Sequence, residues 1–434
     1  MSLSIPLAFY GKVEIPDKHI PMLKHPLIQR LKFLKQLGEK FLHFTPSANH
    51  TRFEHSLRVY SEMKKYLARF GKRDKISKLI KNALPLVALA HDIGHPPLCH
   101  SVEPFYGNHD EYLSVLAPSL KEAVEACGVD YETFYKLLTS ELPESKIIFD
   151  KNFGLDKLDY LVYDALQTGF GSVIDTYIIK RHLAFRDGKI MAHISILESV
   201  KELQRKYLWA YLYLYCSEQS MLYQRMTQKM ISFDCKHDPQ FLPEIRMVKD
   251  HELLGKFAFS WSRGTQNIYA SLMTGDTPEP AIEFLYNKNP RLFHSPKSVV
   301  QTNLPLMPFE TLNIWKDMDT IFGLEQKIAQ MAELFPWQVF IACQDQPQKR
   351  FTPEDAFLFN NAGDTFRLSK LANGHIAEMI SMAEESYFMN IHVLKNNDDD
   401  VKKIQSLTTK IRDYLKDAIM KIYCKKMEEK KNEL

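Results

Sequence analysis

Histidine and acidic residues concentrate where metal chemistry would need them. Seven of the sixteen histidines lie within residues 43–109, and such clusters usually serve metal binding or proton transfer. His55, the dipeptide His91-Asp92 and the more distant Asp156 supply two imidazoles and two carboxylates. This mixture suits a divalent ion such as Mn, Fe, Ni or Zn. We therefore predict that these four residues form one buried metal site.

Three more histidines near these ligands have side chains suited to proton transfer. His95, His100 and His109 would act as acid/base groups or as partners of the ligands. Glu103 follows His100 by three residues and would orient an imidazole. A metal ion beside them would lower the pKa of a bound water and neutralise phosphoryl charge. The pattern predicts hydrolysis of a phosphate ester or anhydride.

Helices must position these residues. Apolar residues from Phe53 to Phe70 recur at steps of three and four, which is the period of one helix face. A second helix, apolar nearly all round, is predicted over Leu84–Ile93, with Pro85 in its first turn and His91-Asp92 in its last. A third begins near Leu155 and runs past Asp164, and a long aromatic helix follows over Leu197–Ile231.

The second half of the chain has a mixed pattern. The predicted elements are an extended, proline-rich connection over Asn287–Leu312, a buried strand over Trp337–Cys343, a strand over Phe366–Leu371, and helices from Ile376 and from Val401. The fold class predicted is mainly α, with a helical core over 1–285 and a smaller α+β region over 286–434.

Composition excludes several classes of protein. The chain has 434 residues with 56 Lys and Arg against 53 Asp and Glu, a formal charge of +3. This balance does not favour a general nucleic-acid or membrane-surface binder. We expect no membrane association, because no apolar run approaches the ~20 residues of a span and the first ten residues do not resemble a signal peptide. Six widely spaced cysteines without a C-x-x-C pair predict a cytoplasmic protein.

Four stretches carry a resemblance to a known family. They are Phe33–Gly38 (FLKQLG), Arg52–Leu57 (RFEHSL), His91–His95 (HDIGH) and Asp156–Tyr160 (DKLDY). In this order they resemble the HD-domain metal-dependent phosphohydrolases, in the branch of the deoxynucleoside triphosphate triphosphohydrolases. The resemblance covers about residues 24 to 235 and implies an HD-domain helical core.

The resemblance also implies roles for individual residues. It implies His55, His91, Asp92 and Asp156 as ligands of one divalent ion, which would be Mn, Fe, Ni, Mg, Co or Zn. It implies His109 as the catalytic acid/base, with His95 and His100 beside it. The substrate contacts implied are Gln36, Leu37, Arg52, Lys157, Tyr160, Asp164, Arg205 and Tyr213.

The activity implied is hydrolysis of a deoxynucleoside triphosphate to the deoxynucleoside and inorganic triphosphate, by a homo-oligomer that is a dimer or a tetramer. Lys24 stands where the family's regulatory nucleotide site has an acidic residue. This difference leaves open an enzyme acting on another nucleotide, such as a nucleoside monophosphate, a cyclic nucleotide or a short oligonucleotide. A non-catalytic nucleotide-binding sensor is a further alternative.

Overall fold

The computed structural model describes residues 2–42, 45–107, 109–170, 175–285, 299–304, 317–343, 355–385 and 388–432. Helices dominate these residues and strands form small sheets, so the predicted fold class is confirmed. None of the helices in these ranges has both the length and the apolarity that crossing a membrane requires.

The helices are numbered in chain order. They are α1 (Ile20–Lys24), α2 (Pro26–Arg30), α3 (Arg52–Phe70), α4 (Lys78–Ala90), α5 (His109–Leu116), α6 (Lys121–Ala126), α7 (Tyr131–Leu138), α8 (Lys146–Phe149), α9 (Leu155–Thr168), α10 (Thr176–Arg181), α11 (Leu197–Ala210), α12 (Glu218–His237), α13 (Phe241–Ile245), α14 (Asp250–Ala258), α15 (Arg263–Thr274), α16 (Met318–Met331), α17 (Leu368–Leu371), α18 (Asn373–Glu385), α19 (Asp400–Ser406) and α20 (Thr408–Asn432). Short 3-10 turns near the site cover Gly38–Phe41, Cys99–Ser101 and Glu103–Phe105.

Within the described residues the strands form three small sheets. They are β1 (Ser2–Leu7), β2 (Gly11–Pro16), β3 (Leu183–Arg186), β4 (Lys189–His193), β5 (Glu279–Leu285), β6 (Val300–Asn303), β7 (Val339–Cys343), β8 (Phe357–Phe359), β9 (Thr365–Arg367) and β10 (Met389–Val393). β1 and β2 form a hairpin, and the two four-stranded sheets have the orders β6-β5-β10-β7 and β3-β4-β8-β9.

The N-terminal core is built on α3, α4, α7 and α9. Helix α3 packs on α4 and α9, and α4 also packs on α7. The predicted bounds of α3 and α9 agree with the structure. The start of α4 was predicted wrongly, because it begins at Lys78, where Ser77 caps it by accepting a hydrogen bond from the Ile80 N–H. Pro85 therefore lies inside the helix, at a cost of ~3 kcal/mol, which burial of its apolar residues offsets.

The long helix predicted over Leu197–Ile231 is interrupted. Helix α11 ends at Ala210, a π-helical turn covers Tyr211–Tyr215, and α12 begins at Glu218. The side chain of Ser217 caps α12 by accepting from the Ser220 N–H, which starts a new helix where the apolar pattern alone predicts continuity.

The C-terminal segments contribute to two hydrophobic cores, one of their own and the N-terminal core just described. Strand β7 is fully buried. It pairs with β10, which in turn pairs with β5, in a sheet that packs on α16, α19 and α20. By contrast, β8 pairs in parallel with β4, and Leu358 and Leu368 join the N-terminal core. The predicted strand over Phe366–Leu371 is wrong in part, since only Thr365–Arg367 is a strand and α17 follows it.

The predicted connection over Asn287–Leu312 lies mostly outside the described residues. Its described part, 299–304, contains β6, which pairs in parallel with β5. Within the predicted connection, residues Val300–Asn303 are therefore part of a sheet. The helices predicted from Ile376 and Val401 correspond to α18 and α19, which begin three residues and one residue earlier.

Candidate metal centre

Three helices bring the predicted ligands to one place. His55 is in the first turn of α3, whose N-terminus is fixed by the capping side chain of Thr51. His91 and Asp92 directly follow α4, and Asp156 is in the first turn of α9. Because all four residues sit at helix ends, the caps and the packing of the helices determine where their side chains meet.

The donor atoms of these residues converge. His55 Nε2 lies 3.1 Å from His91 Nε2 and 2.9 Å from Asp156 Oδ1, and His91 Nε2 lies 3.7 Å from the same carboxylate oxygen. The carboxylate of Asp92 lies 3.6 Å from His91 Nε2 and 3.9 Å from His55 Nε2. Two imidazoles and one carboxylate thus form a group of the size that holds a metal ion, with Asp92 beside it.

The outer nitrogens of both imidazoles have acceptors. His55 Nδ1 lies 2.7 Å from Asp159 Oδ2, and His91 Nδ1 lies 2.9 Å from the carbonyl oxygen of Ala88. In the neutral tautomer, Nδ1 of each ring therefore carries the proton. The Nε2 lone pairs of the two rings point toward each other and toward Asp156. This arrangement is the one that metal-binding imidazoles require, so the residues present fit a divalent cation.

Asp159 is a site residue that the sequence analysis missed. It is fully buried, and it also accepts from Arg58 Nε at 3.1 and 3.0 Å. Arg58 lies one helical turn after His55, and Asp159 lies one turn after Asp156. That pairing of opposite charges at matching positions on two helices is a signal that sequence reasoning could have used.

The acidic residues control protonation of the ligand cluster. Burial disfavours the His55 imidazolium, but hydrogen bonds to Asp156 and Asp159 outweigh burial and raise the pKa of His55 to about 10. Burial likewise opposes ionisation of Asp156, yet its contacts with His55 and His91 hold the pKa of its carboxyl below the ordinary value. The same negative potential that stabilises a proton here favours a cation.

A second cluster of three histidines and a glutamate adjoins the first. The Glu103 carboxylate accepts from His100 Nδ1 at 2.7 Å and from His109 Nδ1. The rings of His95 and His109 stack with centroids 3.6 Å apart. His95 Nε2 lies 3.3 Å from Asp92 Oδ1, which joins the two clusters. The structure thus brings together the three histidines predicted for acid/base roles and the glutamate predicted to orient an imidazole.

The two stacked imidazoles have opposite proton affinities. Burial lowers the pKa of His95 well below its usual value, and the charges of Arg52 and His109 add to this effect. Burial also acts on His109, but the Glu103 carboxylate outweighs it and raises the pKa of His109. A neutral imidazole therefore lies against one that retains a proton, which is a combination suited to proton transfer.

Of the predicted phosphate contacts, Arg52 contacts the ligand cluster, while Lys157 and Tyr160 lie against tyrosine rings. Arg52 is buried and donates to Asp92 Oδ2 at 3.0 Å and to Cys99 Sγ at 3.1 Å. The Lys157 ammonium lies 3.1 Å from the centroid of the Tyr207 ring. Tyr160, one turn further along α9, has its ring centroid 6.2 Å from that of Tyr215.

The predicted sugar contacts form a separate group around His50. The Gln36 N–H donates to the carbonyl oxygen of His50, and His50 Nε2 lies 2.7 Å from Asp164 Oδ1. Leu37 is buried in a small apolar cluster with Tyr215 at its edge, and the Tyr215 hydroxyl donates to Asp164 Oδ2 at 2.6 Å. His50 and Tyr215 are further residues that the sequence analysis did not assign to the site.

Arg205 and Tyr213 are placed differently. Arg205 forms a 3.2 Å ion pair with Glu378 of α18. Tyr213 is partly exposed and packs against Phe170 and Trp209. Arg205 is on α11, whereas Tyr213 lies within the π-helical turn that follows it, so the two residues do not share one regular helix face.

Comparisons with known proteins find similarity to an HD domain-containing protein and to triphosphohydrolases. No protein-family model matches the chain. The chain is 26% identical over 216 residues to a putative HD domain-containing protein of Acanthamoeba polyphaga mimivirus, covering 40% of this chain and 46% of that protein. It is 28% identical over 190 residues to the deoxynucleoside triphosphate triphosphohydrolase SAMHD1 homolog of Dictyostelium discoideum, covering 38% of this chain and 36% of that protein.

The similarity in fold to a solved structure covers most of the chain. The crystal structure of a phosphohydrolase from Bacteroides thetaiotaomicron has a TM-score of 0.69 at 16% identity and covers 91% of this chain and 100% of that one. The chain spans less than half of the length of the curated relatives that it matches.

In its fold the chain is similar to a phosphohydrolase, and in its sequence it is similar to an HD domain-containing protein. The resemblance predicted from the sequence is confirmed, since the chain is similar, at modest identity, to deoxynucleoside triphosphate triphosphohydrolases.

Proposed function

We propose that this protein is a metal-dependent hydrolase that converts deoxynucleoside triphosphates to deoxynucleosides and inorganic triphosphate. The observation that carries the proposal is the convergence of His55, His91 and Asp156 beside the second cluster, His95, Glu103 and His109. The activity in the name of the Dictyostelium relative supports the choice of substrate.

His55, His91, Asp92 and Asp156 would hold the divalent ion. When bound, the ion would supply charge neutralisation at the phosphoryl group and a more acidic water. Asp159 and the Ala88 carbonyl keep both imidazole rings in the binding orientation. Mn, Fe, Ni, Mg, Co and Zn all remain in the proposal, because imidazole and carboxylate donors alone do not distinguish them.

The second cluster would move the proton. A water oxygen attacks the α-phosphorus, the bond from phosphorus to the 5′ oxygen breaks, and this oxygen leaves with the deoxynucleoside. His109 would donate a proton to the leaving oxygen, because Glu103 raises the pKa of His109 and keeps it protonated. His95, whose pKa is lowered, would accept a proton from the attacking water. His100 completes the cluster through its hydrogen bond to Glu103.

Cationic and hydroxyl groups would bind the substrate. Arg52, Lys157 and Tyr160 would contact the phosphates, since they border the ligand cluster on α3 and α9. Gln36, Leu37 and Asp164 would form the sugar subsite, in which the family resemblance implies Leu37 as the wall that a 2′-hydroxyl would meet.

A product analysis tests this proposal. Purified protein is incubated with each deoxynucleoside and ribonucleoside triphosphate in Mn, Mg, Fe, Co or Ni, and the products are separated by chromatography. Inorganic triphosphate with an unphosphorylated deoxynucleoside is the expected result. Orthophosphate alone would favour an enzyme acting on another nucleotide, and bound metal without turnover would favour a sensor.

Assembly and location are also part of the proposal. The relatives suggest a homo-oligomer, which sedimentation of the purified protein would test as a dimer or a tetramer. The wide cysteine spacing favours the cytoplasm, and fractionation of cells would test it.

A further inference from the structure

The segment 247–250 is tied to two loops of the candidate site. The carboxylate of Asp250, at the start of α14, accepts from the Lys35 N–H at 2.7 Å and from the Leu98 N–H at 2.8 Å. Asp250 is only 4% exposed. Its two oxygens thereby join the loop before α3, which carries Gln36 and Leu37, to the loop that carries His95 and His100.

Arg30 ties the same segment to the histidine loop from the other side. Its guanidinium donates to the carbonyl oxygens of Met247 at 2.8 Å, Val248 at 2.9 Å and His95 at 2.9 Å. A planar guanidinium fixes direction as well as distance. The histidine loop is thus held at two points by a segment far away in sequence.

The loop that these contacts hold is strained. Leu98 and Cys99 both have a left-handed backbone, with φ of 52° and 50°, a conformation that such residues adopt only when the surroundings impose it. Gly38 lies so close to this loop that a Cβ atom at position 38 would be 2.9 Å from the Leu98 carbonyl oxygen.

The Cys99 side chain connects this strained loop to Arg52. Cys99 Sγ lies 3.1 Å from the Lys35 carbonyl oxygen, to which it donates, and accepts from Arg52 Nε at 3.1 Å. Lys35 therefore uses its N–H toward Asp250 and its carbonyl toward Cys99. Asp250 is connected to the Arg52 guanidinium through two contiguous routes, by way of Lys35 and by way of Leu98.

We propose that Asp250 is a positioning residue, which fixes the Arg52 guanidinium for the phosphate chain by holding the Lys35 and Leu98 main chain together. The inference rests on the proposed function, because it assigns Arg52 a phosphate contact there. Asp250 itself touches neither substrate nor metal. Its effect is on the geometry of a binding group, and small displacements of such groups are costly.

The test is Asp250→Asn in the full chain. The amide offers one oxygen to one N–H, while its own NH₂ group meets the other N–H. We expect the Kd for inorganic triphosphate, measured by calorimetry, to rise about 10- to 100-fold, and KM for a deoxynucleoside triphosphate to rise with it. The metal content should stay unchanged, since the ligands are on or next to α3, α4 and α9. The affinity for the deoxynucleoside product should change less than that for triphosphate, since the Gln36 N–H is also held by the His50 carbonyl oxygen.

Two further variants make the result decisive. Glu252→Gln removes a charge from the same turn of α14, where the carboxylate accepts from the main chain and side chain of Lys249, and should leave every constant unchanged. Cys99→Ala cuts the link to Arg52 without removing the bonds of Asp250, and should show the same selective loss of triphosphate affinity, so it decides the matter if Asp250→Asn does not fold.

Triphosphate and deoxynucleoside affinities that fall together, or an Asp250→Asn protein equal to Glu252→Gln, would overturn the inference. A wild-type protein that neither hydrolyses nucleotides nor binds triphosphate is a different result, because it defeats the proposed function itself and the inference with it.

Discussion

At the scale of single residues, the site depends on groups that orient others. His55 and His91 can present their Nε2 atoms to a cation only because Asp159 and the Ala88 carbonyl occupy the opposite nitrogens. The ligands were predictable from the sequence, because two histidines and two aspartates in this order indicate a site for a divalent ion. Asp159 was missed, because its role becomes evident only when it is paired with Arg58, which lies one turn after His55 just as Asp159 lies one turn after Asp156.

Replacing Asp159 by asparagine should weaken metal binding. The amide oxygen can still accept from His55, but its lost charge lowers the basicity of the imidazole and leaves Arg58 less well paired. We expect a 10- to 100-fold rise in the Kd for Mn²⁺ by calorimetry. Glu132→Gln, which alters only an exposed pair with Lys136, is the control. Equal affinities of both variants would refute the role of Asp159.

Replacing Glu103 by glutamine should shift the pH profile of turnover. Glu103 raises the pKa of His109, so its neutralisation lowers that pKa. A general acid loses activity as pH rises through its pKa, and the alkaline limb of kcat should therefore move to lower pH. The check is kcat from pH 5 to pH 9; an unmoved alkaline limb would show that His109 is not the acid.

At the scale of elements, predictions succeeded where one strong periodic signal existed. The amphipathic pattern from Phe53 defined α3, and the capping box at Thr51 places its first turn. The same reasoning failed at Pro85 and at Tyr211–Tyr215, because burial in the core overrode a local helix breaker in the first case and a local cap at Ser217 overrode periodicity in the second. Contacts between remote loops, such as those of Asp250, leave no periodic signal.

The buried carboxyl of Asp250 gives stability a pH dependence with a definite sign. Burial raises the pKa of Asp250 from 3.8 to about 6, although two main-chain N–H groups oppose the shift. The native state then holds this proton more tightly than the unfolded state. The contribution of Asp250 to the free energy of unfolding should fall as pH rises from about 3.8 to about 6, by at most ~3 kcal/mol.

Urea unfolding of the wild-type protein and Asp250→Asn at several pH values between 4 and 7 measures this effect. The wild type should lose stability relative to the variant as pH rises through that window. A difference that stays constant or changes in the opposite direction would contradict the assignment.

At the scale of the whole molecule, a buried ion cluster joins the helical core to the C-terminal sheet. Glu325 of α16 pairs with Arg225 at 2.9 Å and with Lys229 at 2.8 Å, both on α12. It also accepts from the Ile341 N–H of β7 at 2.9 Å. The sequence could not reveal this link, because its members lie about 100 positions apart.

Replacing Glu325 by glutamine should therefore destabilise the fold. Two buried cations would lose their anion, and breaking a buried pair in this way costs ~3–5 kcal/mol. Thermal unfolding should show a clearly lowered Tm, whereas Glu378→Gln, which breaks only the exposed pair with Arg205, should change stability by less than about 1 kcal/mol. Equal Tm values for the two variants would show that the cluster does not stabilise the junction.

The most direct measurement is a Mn²⁺ titration by calorimetry of the wild-type protein and of Asp156→Asn, with Asp413→Asn as the surface control. The ligand geometry predicts one cation per chain for the wild type and the control, and an affinity lower by at least tenfold for Asp156→Asn, with an unchanged far-ultraviolet spectrum. Release of inorganic triphosphate should fall in parallel. Unaltered Mn²⁺ binding by Asp156→Asn would contradict the conclusion that three helices supply the ligands of a single ion.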